Sequence, residues 1–97
     1  MQGRVNMSFL LLDKKIGDVD ITALAEFWVD PKGVGIGRQA LQMIEAIASP
    51  KLVVGFADDT VVDFYRACDW VIGSQHDGKW LVASDSIDES KFSGEIW

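Results

Sequence analysis

An α+β domain built on a mixed, mostly antiparallel sheet, with elements in the order β-β-α-β-α-β-β, is what this sequence predicts. Three observations carry that expectation. Apolar and β-prone runs at both ends of the chain are bounded by turn residues, two stretches in between switch to a helical period, and a short unbroken apolar run separates those two. At 97 residues, 48% apolar and 25% charged, the chain suits one core, taken here as a single domain over 1–84 followed by a polar tail over 85–97. A domain this short buries only about 65% of its unfolded surface, so a bound ligand or an oligomer would add usefully to its stability.

Residues Arg4 to Asp13 read as a strand, turned by Lys14-Lys15 and Gly17-Asp18. The second strand spans Asp20 to Asp30. Its two halves, Thr22-Ala23-Leu24 and Phe27-Trp28-Val29, share a register only if one extra residue is inserted, which predicts a β-bulge at Ala25-Glu26. Pro31 has no N–H to donate and ends the ladder, and a glycine-rich turn with Gly33, Gly35 and Gly37 follows.

From Ile36 the period is helical. Ile36, Ala40, Leu41, Ile44, Ile47 and Ala48 form one stripe, and Ser49-Pro50 ends it. Lys51 to Ala57 contains a strand apolar on both faces, as in the middle of a covered sheet. Asp58, Asp59 and Thr60 are candidate N-caps for a short helix from Val61 to Cys68, with Val61, Phe64, Tyr65 and Cys68 on its packing side. Strands at Trp70 to Gln75 and Lys79 to Ala83 flank Asp77-Gly78, a strong signal for a tight hairpin turn. In the tail, Ile87, Phe92, Ile96 and Trp97 offer a means of docking.

Composition excludes several classes of function. The net charge of -6, from fifteen acids and nine bases, disfavours a nucleic-acid surface, which needs gathered lysines and arginines, and favours cationic partners. Apolar runs such as Phe9 to Leu12 are far shorter than the roughly 20 residues of a membrane span, and no leader pattern opens the chain, so a cytoplasmic protein is expected. Cys68, the single cysteine, rules out an internal disulfide and a multi-cysteine zinc site, and no metal is called for. Its place on an apolar stripe, with His76 at a distant turn, reads as packing rather than as a catalytic thiol.

Two local patterns resemble the GNAT-type N-acetyltransferase family from its second strand onward. Phe27-Trp28-Val29-Asp30-Pro31-Lys32-Gly33-Val34-Gly35-Ile36-Gly37-Arg38 is similar to the family's strand, proline and pyrophosphate loop. Phe64-Tyr65-Arg66-Ala67-Cys68-Asp69-Trp70 is similar to its later Phe-Tyr-x-x-x-Gly-aromatic segment. Together they cover most of Thr22 to Gly73. The physics of the first pattern stands without the family: glycines let the backbone approach, and a helix N-terminus offers free N–H groups and a positive dipole end to a pyrophosphate.

The resemblance implies acetyl-coenzyme A as co-substrate, bound by Phe27, Val29, Lys32, Gly33, Val34, Gly35, Ile36, Gly37, Arg38 and Asp58. It implies Tyr65 as general acid or orienting hydroxyl at the departing sulfur, and Glu26 as the base that takes a proton from a primary amine. The plain alternatives are a core tyrosine and a solvated edge carboxylate. Three positions depart from the family pattern. Lys32 stands alone between Pro31 and Gly33, Asp58 replaces a frequent asparagine, and Asp69 replaces a glycine. The family's first strand and two helices have no counterpart, so the sheet is expected to expose an apolar face, marked by Phe9, Leu11, Phe27 or Trp28, and covered in a homodimer or by a rearranged fold.

Two functions follow from the resemblance. One is acetyl transfer from acetyl-coenzyme A to a cationic amine, such as a polyamine, an aminoglycoside or a lysine. The other is a non-catalytic module that binds coenzyme A or a protein. An open V between splayed parallel strands, with Glu26 and Tyr65 on either side of it, is what the enzyme requires.

Overall fold

A computed structural model describes residues 6–30, 35–87 and 89, with Asp30 described in its backbone alone. The order is β1 (Asn6–Ile16), β2 (Val19–Asp30), α1 (Ile36–Ala48), β3 (Leu52–Asp58), α2 (Val62–Ala67), β4 (Val71–His76) and β5 (Lys79–Ala83). These form one five-stranded sheet in the order β1-β2-β3-β5-β4. Only β2 and β3 run parallel; β1 with β2, β3 with β5 and β4 with β5 are antiparallel. The domain is thus α+β with a mixed sheet and two helices, the class and element order that the sequence predicts.

Turn chemistry sets both hairpins. Gly17, at φ 61, and Asp18 join Ile16 to Val19, as a type II′ turn with glycine first requires. Asp77 (φ 51) and Gly78 (φ 78) join His76 to Lys79 with positive φ at both central residues, the type I′ geometry whose twist matches the strands. The expected bulge is present. Leu10 opposes Glu26 while Leu11 opposes Leu24, leaving Ala25 as the extra residue of β2. It restores Phe27 to the same face as Leu24, so both halves of the strand serve one core.

That core lies on one face of the sheet. Leu41, Ile44 and Ala48 of α1 and Val62 and Tyr65 of α2 pack there against Leu24, Val53, Ala57 and Val82, closed by Trp70. The buried stripe of α1 is narrower than its sequence period, and Ile47 is 58% exposed because the helix meets the sheet along the single ridge of Ala40, Leu41, Ile44 and Ala48. The other face carries a small cluster of Ile16, Ile21, Val54, Leu81 and Ala83, reached by Leu52 and Ile87, with no helix among the described residues.

That second face is the exposed one, but the residues marking it differ from expectation. Phe9, Leu11 and Phe27 are partly buried against the helix-side core, because Phe9 opposes Phe27 and Leu11 opposes Leu24 across the hairpin. Trp28, alternating with Phe27, is 52% exposed and is joined by exposed Leu10, Leu12, Val19 and Phe56. The start of the polar tail also belongs to the fold: Glu89 accepts hydrogen bonds from the Ser74 N–H at 3.1 and 3.2 Å and from its hydroxyl. Phe92, Ile96 and Trp97 lie outside the described residues.

Candidate functional site

Strands β2 and β3 pair over Ile21 to Leu24 and Leu52 to Gly55 and then part. Past that point β2 keeps its other partner, β1, and β3 keeps β5, so the two strands diverge with no described strand between them. The bulge at Ala25 supplies the local twist that turns β2 away. Gly55 sits where they separate, and a Cβ there would stand 3.3 Å from the Leu24 carbonyl oxygen and 3.4 Å from its Cβ. The parallel contact is close because position 55 is a glycine.

The divergence opens a cavity of about 550 Å³, walled on the strand side by Phe27, Trp28 and Val29. Gly35, Gly37 and Arg38 of the α1 N-terminus and Thr60, Val61, Phe64, Tyr65, Ala67 and Cys68 around α2 complete it. Gly35 is the N-cap of α1 at φ 79, a left-handed backbone that glycine adopts without strain. Gly37 answers a different need, since a Cβ there would collide with the Phe64 ring at 2.7 Å. Aromatic rings continue inward from the mouth: Phe27 to Phe64 at 6.2 Å, Phe64 to Tyr65 at 5.3 Å and Tyr65 to Trp70 at 5.3 Å between centroids.

Tyr65 is buried, and burial pushes its phenol up to about 12, with the neighbouring Cys68 acting in the same direction. It is a neutral hydrogen-bond donor throughout the physiological range. Cys68 is half buried and burial raises its thiol pKa, so the packing reading holds although the side chain also lines the cavity. Arg38 donates from its guanidinium to the Ala67 carbonyl, tying the first turn of α1 to the last turn of α2. That carbonyl is one a helix end leaves without an internal partner, and a cation suits it. The guanidinium has five N–H donors, so others stay available to a ligand.

The end of α2 is closed by backbone geometry. Asp69 takes the left-handed conformation at φ 65, its N–H bonds the Arg66 carbonyl at 3.1 Å, and the Trp70 N–H bonds the Tyr65 carbonyl at 3.0 Å. This is the Schellman helix stop, and the ring contact of Trp70 with Tyr65 is its usual apolar companion. The positive φ is the physical reason a glycine would suit position 69.

The expected site residues divide into three groups. Tyr65, Phe27, Val29, Gly35, Gly37 and Arg38 meet at the cavity, with Ile36 between the two glycines in the first turn of α1. Lys32, Gly33 and Val34 lie outside the described residues. Glu26 and Asp58 do not line the cavity. Glu26 is exposed beside the bulge, alternating with Phe27 and therefore on the helix-free side of β2. Asp58 closes the β3–α2 turn: its carboxylate accepts the Thr60 N–H at 2.9 Å and the Thr60 hydroxyl, which together hold its pKa down. Neither it nor Asp59 caps α2, whose N-cap is Val61 without a side-chain bond, and Asp59 instead accepts the Trp80 indole N–H at 2.7 Å.

Sequence reasoning did not place Trp28, Thr60, Val61, Phe64, Ala67 or Cys68 at the cavity. The helical period of Val61, Phe64, Tyr65 and Cys68 was the available signal, read there as core. Comparison of the chain with protein-family models, with curated proteins and with solved structures gives no match.

Proposed function

We propose that this chain is a GNAT-like acyltransferase that binds acetyl-coenzyme A in the cleft between β2 and β3 and passes the acetyl group to a primary amine. The observation that carries the reading is the parting of two parallel strands after Leu24 and Gly55, directly beside a bulge, into a cavity that ends on the N-terminus of a helix. Described residues of both resembling segments, Phe27 to Val29 with Gly35 to Arg38 and Phe64 to Cys68, meet at that one cavity.

Each part of the site has work suited to it. The edge of β2 over Glu26–Asp30, turned away from β1, is paired with no described strand, a natural track for an extended chain bearing amides. Backbone N–H groups of the first turn of α1, with Arg38 beside them, suit the pyrophosphate. Bound acetyl-coenzyme A supplies an acetyl group activated as a thioester.

Tyr65 serves the departing sulfur as a hydrogen-bond donor more readily than as a full proton donor. Its pKa of about 12 stands roughly 3 to 4 units above an ordinary thiol near 8.5, so complete transfer is uphill by about 5 kcal/mol. A hydrogen bond to developing negative charge needs no such transfer. Glu26, exposed at the bulge on the helix-free side, would take the amine proton through water as the nitrogen attacks. An acceptor carrying positive charge is attracted to a chain with a net charge of -6.

One observation favours a binding module without catalysis: Glu26 stands outside the cavity lining, so the acid and the base do not face one another across it. A titration of acetyl-coenzyme A followed by an amine screen separates the two. Gly35→Asp places an anion where the phosphates are expected, and Gly35→Ala carries the same backbone strain without the charge. Binding that survives Gly35→Ala and fails in Gly35→Asp supports the pyrophosphate site. Turnover with amines that Glu26→Gln abolishes supports the enzyme, and tight binding with no turnover supports the module. No binding by the parent at millimolar ligand would overturn the enzyme and the coenzyme-binding module alike, and leave a module that binds a protein.

A further inference from the structure

The two edges of the sheet are finished differently. At one edge, β4 is six residues long and its register shifts between Ile72 and Gln75. The Ser74 N–H there is taken by the Glu89 carboxylate. A short strand, a bulge and a charged group over an outward N–H are ways in which natural sheets prevent edge-to-edge association.

At the other edge, β1 has none of these protections over most of its length. It is eleven residues long, its only register shift is accommodated by the extra residue in β2, and no described strand pairs with its outer side. Asn6–Leu12 reads Asn-Met-Ser-Phe-Leu-Leu-Leu, without charge, proline or glycine, and Met7, Leu10 and Leu12 are exposed. The strand's charges, Asp13, Lys14 and Lys15, are gathered at its far end.

We propose that the outer edge of β1 pairs antiparallel with β1 of a second copy of this chain, joining two five-stranded sheets into one across a two-fold axis. Geometry fixes the possible registers. Directly opposed residues share a face and residues of a strand alternate faces, so opposed residue numbers in a symmetric pair must add to an even sum. Centring the axis on Leu10 sets Leu10 against its own copy and Phe9 against Leu11 of the second strand. Leu12 then meets Ser8, Met7 meets Asp13 and Asn6 meets Lys14, with no like charges opposed. Centring on Leu11 instead sets Asp13 against Phe9 and Lys15 against Met7.

Charge also selects a second copy at this place. Two chains of net charge -6 repel one another, yet β1 itself holds one acid and two bases, so this edge contributes none of the excess negative charge. The pairing leaves the cavity free, because β2 lies between it and β1. The inference is independent of the proposed acyltransferase activity.

The test is sedimentation of the parent and of variants over micromolar concentrations. A dimer is expected for the parent, with Leu10→Lys weakening association at least about 100-fold, since it sets two charges face to face at the axis. In a Cys68→Ser background, Leu10→Cys should form a disulfide-linked dimer under mild oxidation and Met43→Cys, on the exposed side of α1, should not. The crosslink keeps the proposal testable should Leu10→Lys unfold. A parent that stays monomeric at several hundred micromolar overturns the proposal. So does a dimer that tolerates Leu10→Lys, gives no crosslink at position 10 and falls apart with Phe56→Lys, an outcome that would put the contact on the helix-free face.

Discussion

Adding one methyl group at Gly37 tests how tightly the cavity wall is built. A Cβ there would lie 2.7 Å from Phe64 Cε1 and 2.8 Å from Cζ, whereas carbon atoms rest about 3.5 to 4.0 Å apart. The ring must therefore retreat by about 1 Å, and overpacking of this kind costs about 1–3 kcal/mol. Against that, exchanging glycine for alanine in a helix gains about 0.5–1 kcal/mol. The clash wins by about 1 kcal/mol, which for a domain of this size lowers Tm by roughly 4–8 °C. The ring's neighbours Phe27 and Tyr65 both line the cavity, so its movement should also weaken ligand binding. Thermal unfolding of Gly37→Ala, Phe64→Leu and the double variant measures this. In the Phe64→Leu background Gly37→Ala should turn stabilising by about 0.5 kcal/mol, because only helix propensity is left. A Gly37→Ala protein more stable than the parent would refute the argument, since it would mean that Phe64 yields without cost.

Three further outcomes follow from local geometry. Asp69→Gly should raise stability by about 1 kcal/mol in chemical denaturation, since φ 65 disfavours a side chain, and an unchanged midpoint would mean that aspartate tolerates the turn in full. Trp70→Phe should cost well below the roughly 3 kcal/mol of a damaged core, because the buried Trp70 Nε1 meets no hydrogen-bond geometry with a partner among the described residues; a large loss would show that the indole N–H is engaged, with the Glu45 carboxylate, whose pKa burial raises and a contact with Trp70 lowers in part, as the acceptor. Tyr65 is the only tyrosine, so its phenolate absorbance reports one site. Its folded pKa of about 12 exceeds the reference value of 10.0, so the unfolded chain gives up that proton first as pH rises. The associated stability, about 3 kcal/mol for two units, is complete below pH 10 and is lost between about 10 and 12, and Tyr65→Phe should remove that part of the alkaline slope.

Features encoded locally were legible in the sequence. The slip in phase between Leu24 and Phe27 located the bulge, Asp77-Gly78 located the hairpin, and the helical period gave α1 its start at Ile36. What escaped depends on residues far apart in the chain. The Arg38 bond to the Ala67 carbonyl and the clash that keeps position 37 a glycine both join α1 to α2, and neither leaves a trace in a local window. The bulge of β4 was hidden because Gly73-Ser74 interrupts a strand too short to establish a period of two. The burial of Phe9, Leu11 and Phe27 needed the cross-strand register, because alternation along one strand gives two faces without saying which of them meets the helices.

The two bulges bear on why the cleft exists. The bulge in β4 releases the Ser74 N–H, and Glu89 takes it up, so the disturbance is resolved within the chain. The bulge in β2 lies where β2 leaves β3, and the stretch of β2 beyond it, no longer paired with β3, walls the cavity through Phe27, Trp28 and Val29. Zipping these strands together would gain ladder hydrogen bonds and close the space. Phe64 and Tyr65 stand among the side chains facing that space, and Gly37 is kept free of a Cβ so that Phe64 fits. That the sheet forgoes a few hydrogen bonds, about 1 kcal/mol each, at one place and caps its loose N–H at another is consistent with the proposed ligand completing the open ladder.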